Sequence, residues 1–373
     1  DVCSSDLTFI FHGPDADHTQ QSVATIDDRI RNGMMVQIQE KSITPDVVRH
    51  LQDAGYDEHI CLVTDDVAPD KLVRSGHLDH LIRRCVELGL DAEKAIYWTT
   101  YTPARRMGLG DRGAIAPGKL ADFVLLDDLE GFLVDRVFRR GRLVHGDGLA
   151  QESSEIDRFP AHFYQSVKLR SLTEADFFLK APEGRSEVTC RVIETRNGTT
   201  MTEEGRVTLP VRDGQIHWDG SGCALAAVFH RHGRNDNIGY ALVTGIVNTT
   251  GALATTYAHD NHNLLVIGHS PREMALAANR VIANQGGLAA VKDGCVIDDL
   301  PLPIAGLMAH DEVATLAQKS DHFRQSMEAL GYRHDFALMS LATLPLAVSP
   351  KIKVTDLGIV DVLEKKLVPL LVE

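Results

Sequence analysis

Three times between residues 8 and 100 a short apolar run gives way to a segment whose apolar residues recur at helical spacing. "LTFIF" reads as a strand and "SVATIDDRIRNG" as an amphipathic helix closed by Gly33. "MMVQIQ" is the next strand. "TPDVVRHLQDAG" has Thr44 at the N-cap, Pro45 in the first helical position and Gly55 as its stop. "HICLVT" is a third strand, followed by the helix "HLDHLIRRCVELG" and by "DAEKAIYWTTYT", a helix expected to end before Pro103. Repeated strand–helix units imply parallel strands joined by right-handed crossovers. A doubly wound sheet and a (β/α)₈ barrel both satisfy that pattern. In either, function gathers where strands end and the following loops begin.

The pattern changes after residue 107. "RGAIAPGKLADFVLLDD" and "VDRVFRRGRLVHGDG" read as short strands broken by Gly, Pro and Asp turns, a small all-β element over 107–150. The polar stretch around 151–165 reads as a linker. From 166 to 373 the chain returns to mixed α and β. There "SPREMALAANRVIANQGG" has Ser270 at the N-cap, Pro271 at the first helical position and Glu273 placed for a capping box. "LAAVKDGCVIDDLPLP" reads as two strands around a Lys-Asp-Gly turn.

Composition narrows the function classes. With 44% hydrophobic and 24% charged residues the chain is of ordinary globular type, and 373 residues suggest two or three domains. A net charge of -14 leaves no basic footprint for nucleic acid and no polybasic membrane patch. No apolar run reaches the roughly 18 residues needed to cross a bilayer. Six scattered cysteines without a CxxC pair point to a reduced, cytoplasmic protein. The opening "DVCSSDL" is what GACGTGTGCTCTTCCGATCT encodes, the end of a common sequencing-library adapter. Residues 1–7 are therefore expected to be an artefact, with the biological chain beginning further upstream.

What ends each strand of the first region carries the chemistry. The first is followed by "HGPDADHT", the second by "EKS", the third by "DD". If the strands are parallel, His12, Asp17, His18, Glu40, Asp65 and Asp66 share one rim. Imidazoles beside carboxylates suit a divalent metal, which can make a nucleophile of water near neutral pH. Carboxylates are also common loop and cap residues, so spacing alone leaves both readings open.

The stretch "VTDDVAPDKLVRSGHLDHLIRRCVELGLDAEKAIYWTTYTPARRMGLGDRGAIAPGKLADFVLLDDLEGFLVDRVFRRGRLV" resembles the adenine deaminases of the amidohydrolase superfamily. "AHDNHNLLVIG", "MALAANRVI", "QGGLAAVKDG" and "LPLPIAGLM" resemble that family's extra C-terminal domain. The resemblance implies an α/β chain: the last part of a metal-bearing (β/α)₈ barrel over 8–106, a small β-sandwich element over 107–150, and the family's C-terminal domain over 166–373. It implies hydrolytic deamination of adenine to hypoxanthine and ammonia by a metal-held hydroxide, with Mn²⁺ or Fe²⁺ as the metal. By resemblance, Asp65 is the metal-side aspartate that ends the eighth barrel strand and relays a proton. Asp66 would orient it, cap the loop, exchange roles with it, or contact the substrate. His18 matches the histidine after the sixth strand and would hold metal. Glu40 of "QEKS", the second candidate catalytic residue, falls near a family "REGS" stretch after the seventh strand, with Lys41 departing from that pattern.

The family's His-x-His pair belongs on the first strand, and none stands on a strand of the barrel part. The chain is thus expected to hold only the last three barrel strands, whose open edge would need covering or would invite association, making a homo-oligomer a candidate assembly. "HRH" at 230–232 falls in the wrong domain for that pair. "YAHDNHN" carries His259, Asp260, His262 and Asn263; the last three are candidate substrate contacts or members of a hydrogen-bonded turn. His77 and His80 read as surface or packing residues. Two rivals remain: another amidohydrolase acting on a related purine or cyclic amide, and a non-catalytic remnant.

Overall fold

The computed structural model describes residues 10–129, 131–147 and 159–372. The suspected artefact at 1–7 and the first half of the expected linker, 151–158, lie outside them. The chain divides into two compact units between Glu155 and Ile156. Among the described residues no helix is long and apolar enough to cross a membrane.

In the first unit three strands, β1 (Ala16–Asp17), β2 (Met35–Ile38) and β3 (Ile60–Leu62), pair in that order, all parallel. Helices α1 (Val23–Arg31) and α2 (Pro45–Asp53) form the crossovers. Ser22 caps α1 in a capping box with Thr25. Thr44 stands at the N-cap of α2 without a side-chain cap bond, its hydroxyl donating to Asp46 instead at 2.6 Å. After β3 come α3 (Pro69–Ser75), α4 (Leu78–Glu87), α5 (Ala92–Thr99) and α6 (Tyr101–Arg106). Every residue of β3 is buried, as in a parallel strand covered on both faces. Ile26, Val36, Ile38, Ile60, Leu62, Leu81 and Trp98 make the core, with Trp98 Nε1 donating to Asp57 at 3.0 Å.

One expectation needs correction here, and another is met only in part. The first strand paired with β2 is not in the described part of "LTFIF": residues 7–9 lie outside the described residues, and Ile10 and Phe11 are helical, with Phe11 exposed. Ala16 and Asp17 pair with β2 because the Met35 N–H donates to the Asp15 carbonyl and Asp17 is anchored by its neighbours. The helix over 92–99 does end before Pro103, as expected, but the chain does not leave helical structure there. A break at Thr100 starts a new helix in which Pro103 sits in the first turn, where its missing N–H costs nothing. Beyond it, β4 (Phe123–Leu126), β5 (Val134–Arg139) and β6 (Arg142–His145) form a three-stranded antiparallel sheet.

The second unit is built on a large sheet. Its strands are β7 (Leu179–Lys180), β8 (Glu187–Thr195), β9 (Thr202–Arg212), β10 (Gln215–Ile216), β11 (Ala224–Phe229), β12 (Ile238–Gly245), β13 (Ala252–Thr255), β14 (Leu264–Gly268), β15 (Gly287–Lys292) and β16 (Cys295–Pro301). The order is β16-β15-β13-β14-β11-β12-β8-β9-β10-β7, antiparallel except for β12 with β8. A second sheet of β17 (Ile352–Thr355), β18 (Gly358–Asp361) and β19 (Lys366–Val368) packs on it, and β20 (Leu371–Val372) pairs with β8.

Alternation along β11 sends Ala224, Ala226 and Val228 to one core and Leu225, Ala227 and Phe229 to the other. Helix α7 (Pro271–Ala283) covers the second core through Met274, Ala278 and Val281. Helices α8 (Val313–Ala329) and α9 (Ala337–Ala342) and the β17–β19 sheet cover the first through Phe323, Met327, Leu341, Ile352 and Val354. Burial of each larger aliphatic side chain contributes about 1.5–3 kcal/mol. Glu273 does not close a capping box on α7; its carboxylate accepts from Gly294 N at 3.0 Å, tying the helix to the β15–β16 turn.

Where β12 meets the β17–β18 hairpin, Gly239 lets two backbones touch, and a Cβ there would strike the Thr355 carbonyl. Gly239→Ala is therefore expected to destabilise the second unit by about 1–3 kcal/mol. A urea titration should show a lower midpoint with an unchanged slope; an unchanged midpoint would mean that the two layers are not in close contact.

Candidate active site

Because β1, β2 and β3 are parallel, the residues that follow them share one rim. Asp17 ends β1, but its carboxylate is consumed locally. It accepts from Thr19 N at 2.9 Å, Thr19 Oγ1 at 2.8 Å and Gln21 Nε2 at 2.9 Å, and it pairs with Arg29. Burial opposes its ionisation most strongly, yet these bonds outweigh burial and hold its pKa below the ordinary value. Asp17 thus fixes the strand end and leaves the adjacent His18 exposed, without a hydrogen-bond partner among the described residues. His12 stands before β1 instead of after it, so the expectation that it joins this rim is not met.

After β2 come Gln39 and a 3₁₀ turn over Glu40–Ser42. Gln39 is buried, and its amide donates to Asp65 Oδ2 at 2.5 Å. Asp65 itself is exposed and sits at φ 57°, a left-handed conformation that Asp tolerates better than most residues. Asp66 beside it is also exposed. The turn between β3 and α3 therefore presents Asp65 on a strained backbone, with one carboxylate oxygen steadied by the neighbouring strand end.

Glu40 is bound elsewhere: it pairs with Lys71 of α3 and meets His80 Nε2 of α4 at 3.1 Å. Burial works against its ionised form, but the bonds from Lys71 and His80 prevail and hold its pKa below the ordinary glutamate value. His80 therefore does have a carboxylate partner, contrary to the reading of it as a simple surface or packing residue. His77 is the N-cap residue of α4, and its Nε2 lies 3.0 Å from Thr64 Oγ1. Gln39 and Lys71 were invisible as site residues in the sequence. The Gln39–Asp65 and Glu40–Lys71 contacts join positions 26 and 31 residues apart, and no local spacing encodes them.

The donor set decides how much of a metal site is present. Among the described residues no three His, Cys, Asp or Glu gather closely enough to hold a metal ion. Asp65 and His18 could each supply one donor; Glu40 and Asp17 are committed to cations. The described residues alone do not make a metal site.

The second unit contains a separate polar cluster. "HRH" follows β11 and "YAHDNHN" precedes β14, and the antiparallel pairing of those strands brings the two segments together. Arg231 is buried and, among the described residues, has no carboxylate partner. It donates to the His262 carbonyl at 2.5 Å, to the Ser166 carbonyl and hydroxyl at 2.9 and 2.8 Å, and to the Ala305 carbonyl at 2.9 Å. Burial pushes its pKa down to about 10. Asn263 is buried and accepts from Arg231 N, so its side chain serves this scaffold. The His259 and His262 rings lie 5.6 Å apart. Burial, then the charges of His259 and Arg231, hold the His262 pKa below the ordinary value, and its Nδ1 is buried without a partner. Asp260 is the exposed member.

Comparison with known proteins fits both units. Residues 14–144 match the amidohydrolase family and residues 199–366 match the adenine deaminase C-terminal domain. The chain is 44% identical to adenine deaminase of Clostridium perfringens over 97% of its own length and 64% of the relative's. It is 43% identical to adenine deaminase 2 of Shouchella clausii over 96% of its length and 63% of the relative's, and 41% identical to adenine deaminase 2 of Oenococcus oeni over 99% and 65%. Along nearly its whole length the chain is similar to adenine deaminases. It spans a little under two thirds of the curated relatives it matches. Within the family pattern, the amidohydrolase match takes in β1–β3, their rim and the small β4–β6 sheet.

The ion pair on Glu40 has a measurable signature. Lys71→Met is expected to raise the Glu40 pKa toward the ordinary glutamate range, read by carbon NMR of the carboxyl group. A group with a depressed folded pKa contributes stability above its unfolded value and loses it as pH falls through the folded one. The stability difference between wild type and Lys71→Met should therefore be full at neutral pH and vanish in acid. A difference unchanged down to the lowest pH would mean that Lys71 stabilises by packing and not by charge.

Proposed function

We propose that this chain serves the hydrolytic deamination of adenine to hypoxanthine and ammonia. The observation that carries the reading is similarity to adenine deaminases along nearly the whole chain, across both units. The finer fold reading is that the first unit is the closing part of a (β/α)₈ barrel. Its parallel strands, crossover helices and functional residues at the strand ends support it.

In the reaction, a water oxygen bonds to C6 of the purine and the C6–N bond to the exocyclic amine breaks. A proton leaves the water and another reaches the departing amine. Asp65 is the proposed carrier: it is exposed at a strand end, and Gln39 holds one of its oxygens while the other stays available. Glu40 is proposed as a positioning residue, since its bonds to Lys71 and His80 anchor the turn that carries Gln39. Asp66 would cap the same loop. A divalent metal, manganese or iron, is the proposed cofactor, whose chemistry is to make water nucleophilic near neutral pH. His18 and Asp65 are its proposed donors in this chain, to be joined by ligands outside the described residues. Asp260 and His262 are proposed as substrate contacts of the second unit, with Asn263 supporting them through Arg231. A cytoplasmic setting is proposed on the free thiols of Cys61, Cys85, Cys190, Cys223 and Cys295, and self-association on the open β1 edge.

The test is conversion of adenine to hypoxanthine, with added manganese or ferrous iron. It is run on this chain and on this chain joined to the part of the Clostridium perfringens relative that it does not span. Activity is expected in the joined protein, and Asp65→Asn should lower kcat by about 10²–10⁴-fold without altering the circular dichroism spectrum. A joined protein that folds and binds metal but leaves adenine untouched would turn the search to other purines and cyclic amides. A protein that binds no metal would favour a non-catalytic remnant.

A further inference from the structure

The second unit buries another cation that no step above uses. Lys353 lies on β17 and is 1% exposed. Its ammonium donates to the Thr200 carbonyl at 2.5 Å and the Thr343 carbonyl at 3.3 Å. An ammonium has three hydrogens, so one is left without a partner among the described residues. Lys353 also lines a cavity of about 20 Å³. We propose that this cavity binds one small monovalent anion, of the size of chloride, against the Lys353 ammonium.

The lining carries the argument. It includes the cationic or ionisable side chains of Arg196, His334 and Lys353, and it contains no carboxylate. Arg196 has a carboxylate neighbour, Glu203 at 3.9 Å, but that residue is not part of the wall. The Thr199 hydroxyl accepts from Met201 N at 3.1 Å, which leaves its own hydrogen available to an acceptor in the cavity. A buried charge without a counter-ion is costly, and two carbonyls offset it only in part. Burial alone pulls the Lys353 pKa down to about 7, the behaviour of an amine lacking an anionic neighbour. The volume has room for a water or a small ion of similar bulk.

The experiment follows thermal unfolding of the full chain in rising sodium chloride, with ionic strength held constant by sodium gluconate. The midpoint is expected to rise and saturate with chloride, and bromide should substitute for it. Lys353→Met should abolish the saturable rise. Arg196→Gln, a change at the exposed end of the wall, should weaken the apparent chloride affinity several-fold while leaving the fold intact. In crystals grown with bromide, an anomalous peak is expected beside Lys353 Nζ. If Lys353→Met does not fold, the bromide peak and the Arg196→Gln titration decide the matter. A chloride response equal in wild type and Arg196→Gln, together with no bromide peak at Nζ, would overturn the proposal and leave the cavity to a single water.

Discussion

The parallel hydrogen bonding of β2 between β1 and β3 is the constraint on which the candidate site depends. It brings Asp17, Gln39 and the Val63–Asp66 turn to one end of a three-stranded sheet, although they are spread over some fifty positions of sequence. Once that end is common, Gln39 can reach Asp65, and the helices that follow β3 can return Lys71 and His80 to Glu40. A one-residue slip of β2 would turn Gln39 away from the rim and bury its neighbours on the wrong face.

The carboxylates of this rim differ in what they are free to do. Asp17 and Glu40 are each matched to a cation and to further donors, and their depressed pKa values follow from those bonds overcoming burial. Such groups stay ionised and rigid, which suits anchoring. Asp65 has a neutral amide on one oxygen and, among the described residues, no cation beside it. A carboxylate held in place by a neutral donor and open on its other side has the placement that the proposed proton carrier needs, unlike its supports.

The second unit solves a different problem, that of burying cations in an apolar sheet protein. Arg231 has three segments of chain wrapped around its guanidinium, so four of its five N–H donors have partners although, among the described residues, no carboxylate pairs with its charge. This stitches the Ser166 and Ala305 segments to the histidine-bearing loop before β14. Lys353 has only two carbonyls and a neighbouring cavity. The same desolvation acts on both, and the number of bonds available to each separates a structural strut from a vacancy suited to an anion.

Hydrophobic periodicity by itself determined the strand–helix alternation of the first unit, β2, β3 and their crossover helices, the Lys-Asp-Gly turn between β15 and β16, and the change of texture after residue 107. It did so because burial on one or both faces imposes a period on each segment. It also put Asp65 at the end of a buried strand. It misplaced β1, because that strand is short and exists only through its bonds to β2 and the anchoring of Asp17. Only the tertiary structure decided which acids are spent and which are available, since the partners of Glu40 and Asp65 come from distant elements. It alone joined "HRH" to "YAHDNHN", because antiparallel pairing of β11 with β14 brings together segments that no local rule connects.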